Sequence, residues 1–150
     1  MIRFLFLTVS SPFRLGVYEN DELQKEYIKE GKASDVLPVM IDEALRDHSV
    51  DEIYYTNGPG NHMSLKIAYV CLKTISIIKK IPFYGISPFD FNGNLPIKAF
   101  GNSYFVYEAG RISLKVFENT AVVGEPVLPT ICDFAAVQGV PEPLFILPAV

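Results

Sequence analysis

The residues best placed to do chemistry stand together in Asn57-Gly58-Pro59-Gly60-Asn61-His62. An apolar strand candidate, Ile53 to Thr56, runs into this turn, and an apolar helix candidate, Met63 to Lys80, leaves it. Gly60 can take a positive φ without a Cβ penalty. Pro59 fixes its own φ and pushes Gly58 toward extended geometry. Asn61 is placed to cap the helix by accepting from the amide of Met63 or Ser64. A strand, a glycine turn and a helix N-terminus can together aim backbone donors at an anion. A structural turn is the plainer reading. The dinucleotide fingerprint needs a third glycine where Met63 stands, and the P-loop needs a Gly-Lys-Ser or Gly-Lys-Thr that is absent. Pro59 also removes one amide from any phosphate cradle. His62 can serve as an acid or base, but no nucleophile is suggested beside it. His48 is isolated, and no Cys or Asp at ligand spacing accompanies either histidine. Ser10-Ser11 reads as a turn with no base in view. The expectation is no catalytic residue, no metal and no cofactor.

Composition bounds the frame that must hold these residues. With 150 residues, 49% of them apolar, the chain can bury a real core. A net charge of −4 is a poor electrostatic match for nucleic acid on its own. Cys71 and Cys132 form no spaced motif and read as free thiols, consistent with a reducing compartment. Ile2 to Val9 is apolar but short and carries Arg3, so it reads as a strand and not as a signal peptide. Lys66, Lys73, Lys79 and Lys80 argue against a membrane span by the long helix. A cytoplasmic protein is expected.

Periodicity and turn signals supply the elements. Ile2 to Thr8, Phe13 to Tyr18 and Leu23 to Ile28 read as strands, the third with the charge of an edge strand. Ser34 or Asp35 is expected to cap a helix ending near His48, with Pro38 in its first turn. Leu37, Met40, Ile41, Ala44 and Leu45 give this helix one apolar face. Ile53 to Thr56, Met63 to Lys80 and Phe83 to Ile86 follow as strand, helix and strand. The order β-β-β-α-β-α-β predicts an α/β mixed sheet of the ribonuclease-H-like kind, the half-unit of the actin-like ATPase superfamily. Asn92-Gly93-Asn94 marks a boundary between an N-terminal lobe, 1–93, and a reduced second lobe, 94–150. In the latter, Ser103 to Tyr107 and Ile112 to Phe117 form a hairpin candidate, and Leu144 to Leu147 one short strand.

The second helix is apolar around most of its circumference. At about 100° per residue, Lys66, Lys73 and Lys80 make one stripe. One arc holds Met63, Ile67, Val70, Cys71, Thr74 and Ile78. The other holds Leu65, Ala68, Tyr69, Leu72, Ile75, Ser76 and Lys79. Neighbouring helices of the same chain can cover the second arc, or a partner protein can. The cleaner aliphatic arc is expected to face the sheet and the mixed arc a partner, because interfaces tolerate polar and aromatic mixtures. Nucleases and ATPases of this architecture need acids at the tip of the first strand. Between Met1 and Tyr18 there is no Asp or Glu, so metal-dependent chemistry on this sheet is not expected.

With these residues in place, the chain resembles the TsaB (YeaZ) family of bacterial proteins required for threonylcarbamoyl-adenosine formation in tRNA. Thr8-Val9-Ser10 stands where the family has Asp-Thr-Ser. Ala33-Ser34-Asp35, with Leu37-Pro38, stands for the family's His-Ser-Glu and Leu-Pro. Gly58-Pro59-Gly60, continued by Leu65-Lys66-Ile67-Ala68, matches the Gly-Pro-Gly signature, although Asn61 to Ser64 replace its Ser-Phe-Thr-Gly. Pro82 to Phe89 stands for the last motif. The resemblance covers the N-terminal part, from Ile2 to Phe89. It implies a non-catalytic scaffold, a degenerate member of the superfamily, that pairs through both helices with a TsaD-like catalytic paralogue. A TsaE-like ATPase joins such assemblies, tRNA is met only indirectly, and a homodimer through the same helices is a further implication. The partner-facing candidates are Met40 and Ala44 on the first helix and Leu65, Ala68, Tyr69, Leu72 and Ser76 on the second. The alternative left open is an actin-like or sugar-kinase-class ATP-binding enzyme. A protease, the third option, lacks a metal-ligand pair.

Overall fold

The computed structural model describes residues 1–9, 12–100, 102–117 and 126–145. Its centre is a five-stranded sheet in the order β3-β2-β1-β4-β5. The strands are β1 (Ile2–Leu7), β2 (Phe13–Glu19), β3 (Glu22–Lys29), β4 (Glu52–Thr56) and β5 (Phe83–Ile86). β1, β2 and β3 pair antiparallel, and β4 and β5 join parallel to β1. The expected mixed sheet is present. Asn20 and Asp21 turn the β2–β3 hairpin with φ of 51° and 69°, a conformation their short polar side chains tolerate. β3 is the edge strand, and Glu22, Lys25 and Glu26 face solvent along it, which discourages pairing with other chains.

Two helices, α1 (Ala33–Asp47) and α2 (His62–Lys79), make the crossovers. They cover one face of the sheet over a core that includes Phe4, Phe6, Leu15, Tyr55, Phe83, Leu37, Met40, Ala44, Ala68 and Leu72. Each fully buried Leu, Met or Phe among them contributes about 1.5–3 kcal/mol of transfer free energy. α1 begins earlier than expected. Ala33 is already in the helix and buried, and Lys32 sits at the cap position without a side-chain cap bond. Pro38 therefore falls in the second turn and not in the first. The amide it lacks would have met the carbonyl of Ser34, and both residues are exposed, so water satisfies that carbonyl.

The rest of the chain divides between two places. A 3₁₀ turn (Pro88–Phe91) leads to a three-stranded antiparallel sheet of β6 (Ile97–Phe100), β7 (Ser103–Glu108) and β8 (Arg111–Val116). The β7–β8 hairpin is the expected one, and Ala109 and Gly110 turn it with positive φ; β6 was not anticipated. Residues 126–145 return to the large sheet's second face. There Cys132 and Phe134, in the short helix α3 (Phe134–Val137), pack with Leu5, Leu7, Tyr18 and Tyr54. Leu144 and Phe145 are not in a strand, and the remainder of the strand expected at Leu144 to Leu147 lies outside the described residues.

Candidate functional site

Two features meet near the C-terminal ends of the parallel strands, the tip of β1 and the glycine turn, and the outer face of the helix pair runs on from there. At the tip, Thr8 and Val9 are buried. The Thr8 amide donates to Thr56 Oγ1 at 2.9 Å, and the Thr8 hydroxyl donates to the Thr56 carbonyl at 3.2 Å. Two threonines thus tie β1 to β4, and the Thr56 hydroxyl in turn donates to the Phe6 carbonyl at 3.4 Å. Ser10, the third member of the expected motif, lies outside the described residues. Among the described residues no group of three or more His, Cys, Asp or Glu is arranged to hold a metal ion.

In the turn, the roles of the two glycines differ from expectation. The positive φ belongs to Gly58, at 110°, so Pro59 has not driven it to extended backbone. Gly60 is needed for space. A Cβ there would stand 2.8 Å from Val9 Cβ and 3.0 Å from Val9 Cα, so the turn presses against the strand tip. Asn61 caps α2 as anticipated, its Oδ1 accepting from the Ser64 amide at 3.0 Å. His62 meets Phe145 edge to face, with ring centroids 5.0 Å apart. His48 lies edge-on to Phe4. A hollow of about 360 Å³ opens between the N-termini of α1 and α2, lined by Val9, Lys32, Ser34, Asn61, Met63 and Ser64 among others.

The helix faces are the main correction. Met40 and Ala44 on α1, with Leu65, Ala68 and Leu72 on α2, are at most 1% exposed and belong to the protein's own core. Tyr69 is half-buried and packs on Phe83, ring centroids 6.1 Å apart. Ser76 donates its hydroxyl to the Ile81 carbonyl at 2.6 Å and closes the end of the helix. The mixed arc of α2 faces inward, and its cleaner arc faces outward. The reason is shape. Under α2 the sheet carries the bulky rings of Tyr55 and Phe83, and the small Ala68 lets the helix approach them. Leu65 and Leu72 then fill the turns on either side. Tyr69, Ser76 and Lys79 belong to the same arc only at its rim, where polar atoms reach partners or water.

What remains outside is an apolar stripe beside lysines. Met63, Val70, Ile77 and Ile78 are 64%, 61%, 65% and 70% exposed. Met63, Val70 and Ile77 fall seven residues apart and form one stripe along the helix. An open groove of about 350 Å³ runs between α1 and α2, lined by Pro38, Ile41, Leu45, Val70, Cys71 and Ile75 among others. Burial raises the Cys71 thiol pKa. The two helices also differ in charge. α2 contains Lys66, Lys73 and Lys79 and no acid, whereas α1 contains Asp35, Asp42, Glu43 and Asp47 against one cation, Arg46. Arg46 pairs with Asp42 at 2.9 Å, and β3 answers Glu43 and Asp47, Lys29 with Glu43 at 3.1 Å and Lys25 with Asp47 at 3.7 Å. No described helix is long and apolar enough to cross a membrane.

Sequence reasoning missed Tyr55 and placed Asn57 in the turn without its role of holding the tail. The Tyr55 hydroxyl donates to the Pro141 carbonyl, and the Asn57 amide donates to the carbonyls of Val140 and Glu142. The available signal was a tyrosine in an otherwise buried strand, since a buried hydroxyl needs an acceptor.

No protein-family model matches the chain, and no curated protein matches it. Solved structures do. YeaZ from Pseudomonas aeruginosa aligns with a TM-score of 0.55 at 15% identity, covering 83% of this chain and 68% of YeaZ. An uncharacterized protein with similarity to peptidase YeaZ from Pseudomonas aeruginosa aligns with a TM-score of 0.57 at 14% identity, covering 99% of this chain and 84% of the other. At these identities the likeness is one of fold: the chain has the fold of YeaZ.

Proposed function

We propose that the chain is a divergent member of the TsaB (YeaZ) family, with a ribonuclease-H-like half-unit of the actin-like kind. Its proposed role is that of a non-catalytic scaffold or activator in threonylcarbamoyl-adenosine modification of tRNA, in the cytoplasm. In this reading it docks a TsaD-like catalytic subunit through the outer face of the α1–α2 pair, and a TsaE-like ATPase joins the assembly. The observation that carries the reading is the stripe Met63-Val70-Ile77, flanked by Ile78 and exposed beside an apolar groove. A contiguous exposed patch of this kind marks a protein interface more readily than isolated surface residues do. The lysines of α2 supply register: no acid in that helix answers Lys66, Lys73 and Lys79, so a partner helix that sets acids against α2 is matched and a basic one is repelled. The apolar stripe can also pair with itself across a two-fold axis, which accounts for a homodimer competing for the face. The absence of Asp and Glu between Met1 and Tyr18 supports a role without metal chemistry at the strand tip.

The ATP-binding alternative has one observation in its favour, the hollow between the helix N-termini with Lys32, Ser34 and Ser64 in its wall. Two experiments separate the readings. Co-expression with a TsaD-like protein is expected to yield a stable complex on affinity purification, and titration calorimetry with ATP and magnesium is expected to show no heat of binding. Tight magnesium-dependent ATP binding with no complex reverses the assignment.

A further inference from the structure

The tail that crosses the large sheet ends on the glycine turn, and the contacts there form a built site. The Gly139 amide donates to the Gly85 carbonyl at 2.9 Å, and the Gly85 amide donates back at 3.0 Å. Asn57 Nδ2 then donates to the Val140 carbonyl at 3.0 Å and to the Glu142 carbonyl at 3.1 Å. The Tyr55 hydroxyl reaches the Pro141 carbonyl between them. The Leu144 amide donates to the Asn57 carbonyl at 2.7 Å. Each of these bonds uses the tail's backbone, which bends at Glu142, and its prolines fall at positions that donate nothing. The receiving surface leaves room for it. A Cβ on Gly85 would stand 2.2 Å from the Val140 oxygen, and one on Gly58 2.4 Å from the Leu144 oxygen. Phe145 finally lies against His62, with Lys66 Nζ 5.9 Å from its ring centroid.

We propose that residues 139–145 are a separable latch. The latch closes the glycine turn and clamps the first turns of α2, where Met63 begins the outward stripe. Its attachment is local: two Asn57 bonds, one tyrosine hydroxyl, one backbone bond at Leu144 and the Gly85–Gly139 bridge. Val140, Leu144 and Phe145 each keep a third or more of their surface exposed, so little apolar burial opposes release. Release uncovers Gly58 and frees the N-terminal end of α2 without disturbing the core under α1. The inference does not depend on the identity of any partner.

Hydrogen exchange on the full chain tests it, comparing wild type with Asn57→Ala. Loss of two hydrogen bonds is expected to speed exchange of the Gly85, Gly139 and Leu144 amides by about tenfold or more. The Leu65 amide, bonded to the Asn61 carbonyl, is expected to speed up with them, while β1, β2 and α1 keep their wild-type rates. Tyr55→Phe, a milder change, is expected to give the same pattern with a smaller factor. Tail amides that open without Leu65 overturn the coupling to α2. Unchanged rates in both variants, or a general loss of protection in both, overturn the latch itself.

Discussion

At the residue scale, the site is organised by close approach and not by reactive groups. Val9 touches Gly60, Leu144 touches Gly58, and Thr8 bonds to Thr56. Gly60→Ala places a methyl against the Val9 backbone, which cannot rotate away. The expected cost is about 1–3 kcal/mol, the range for overpacking, read as a lower urea midpoint with an unchanged slope. An unaltered midpoint contradicts the packing described here. The sequence made Gly-Pro-Gly legible as a turn and Asn61 as a cap, because both follow from local chemistry. It assigned the positive φ to Gly60, whereas Gly58 carries it, and it could not show that both glycines lack room, because that depends on Val9 and Leu144, far away in the chain.

At the element scale, the order of strands and helices was legible from Ile2 to Ile86 because each element carries its own periodicity and its own punctuation. The facing of α2 was not. Both arcs are apolar enough to be core, and the choice was made by the aromatic surface of β4 and β5, which no helix periodicity contains. β6 and α3 were missed for a different reason. Each is four residues long, too short to show a period; β5 is as short, but the α2 crossover before it calls for a parallel strand there, and nothing of that kind precedes β6 or α3. The corrected facing makes a paired prediction. Leu72→Asp buries an unpaired carboxylate against the sheet and is expected to unfold the protein or cost at least about 3 kcal/mol. Val70→Asp, two residues earlier and exposed, is expected to change stability by about 0.5 kcal/mol or less. Thermal denaturation of both variants checks this, and equal effects contradict the assignment of faces.

At the scale of the whole molecule, the core contains several proton-bearing groups held neutral. Burial pushes the Cys132 thiol from 9.0 up to about 12 and the Tyr54 hydroxyl from 10.0 up to about 12, and it raises Tyr18 and Tyr55 as well. Between the ordinary and the raised values, the unfolded chain has lost these protons and the folded chain has kept them. Stability therefore falls as pH rises from about 9 toward 12, and it is insensitive to these groups near neutrality. The melting temperature is expected to be level from pH 7 to about 8.5 and to drop steadily above it; a level profile to pH 11 contradicts the burial of these groups. The most direct test of the account as a whole concerns the outward stripe. Affinity for a TsaD-like protein is to be measured for wild type, Val70→Asp and Ile77→Asp, with the melting temperature of each recorded beside it. The account predicts a loss of affinity of about 30-fold or more, the scale of a buried interface anchor, at unchanged melting temperature. Wild-type affinity in both variants would contradict it.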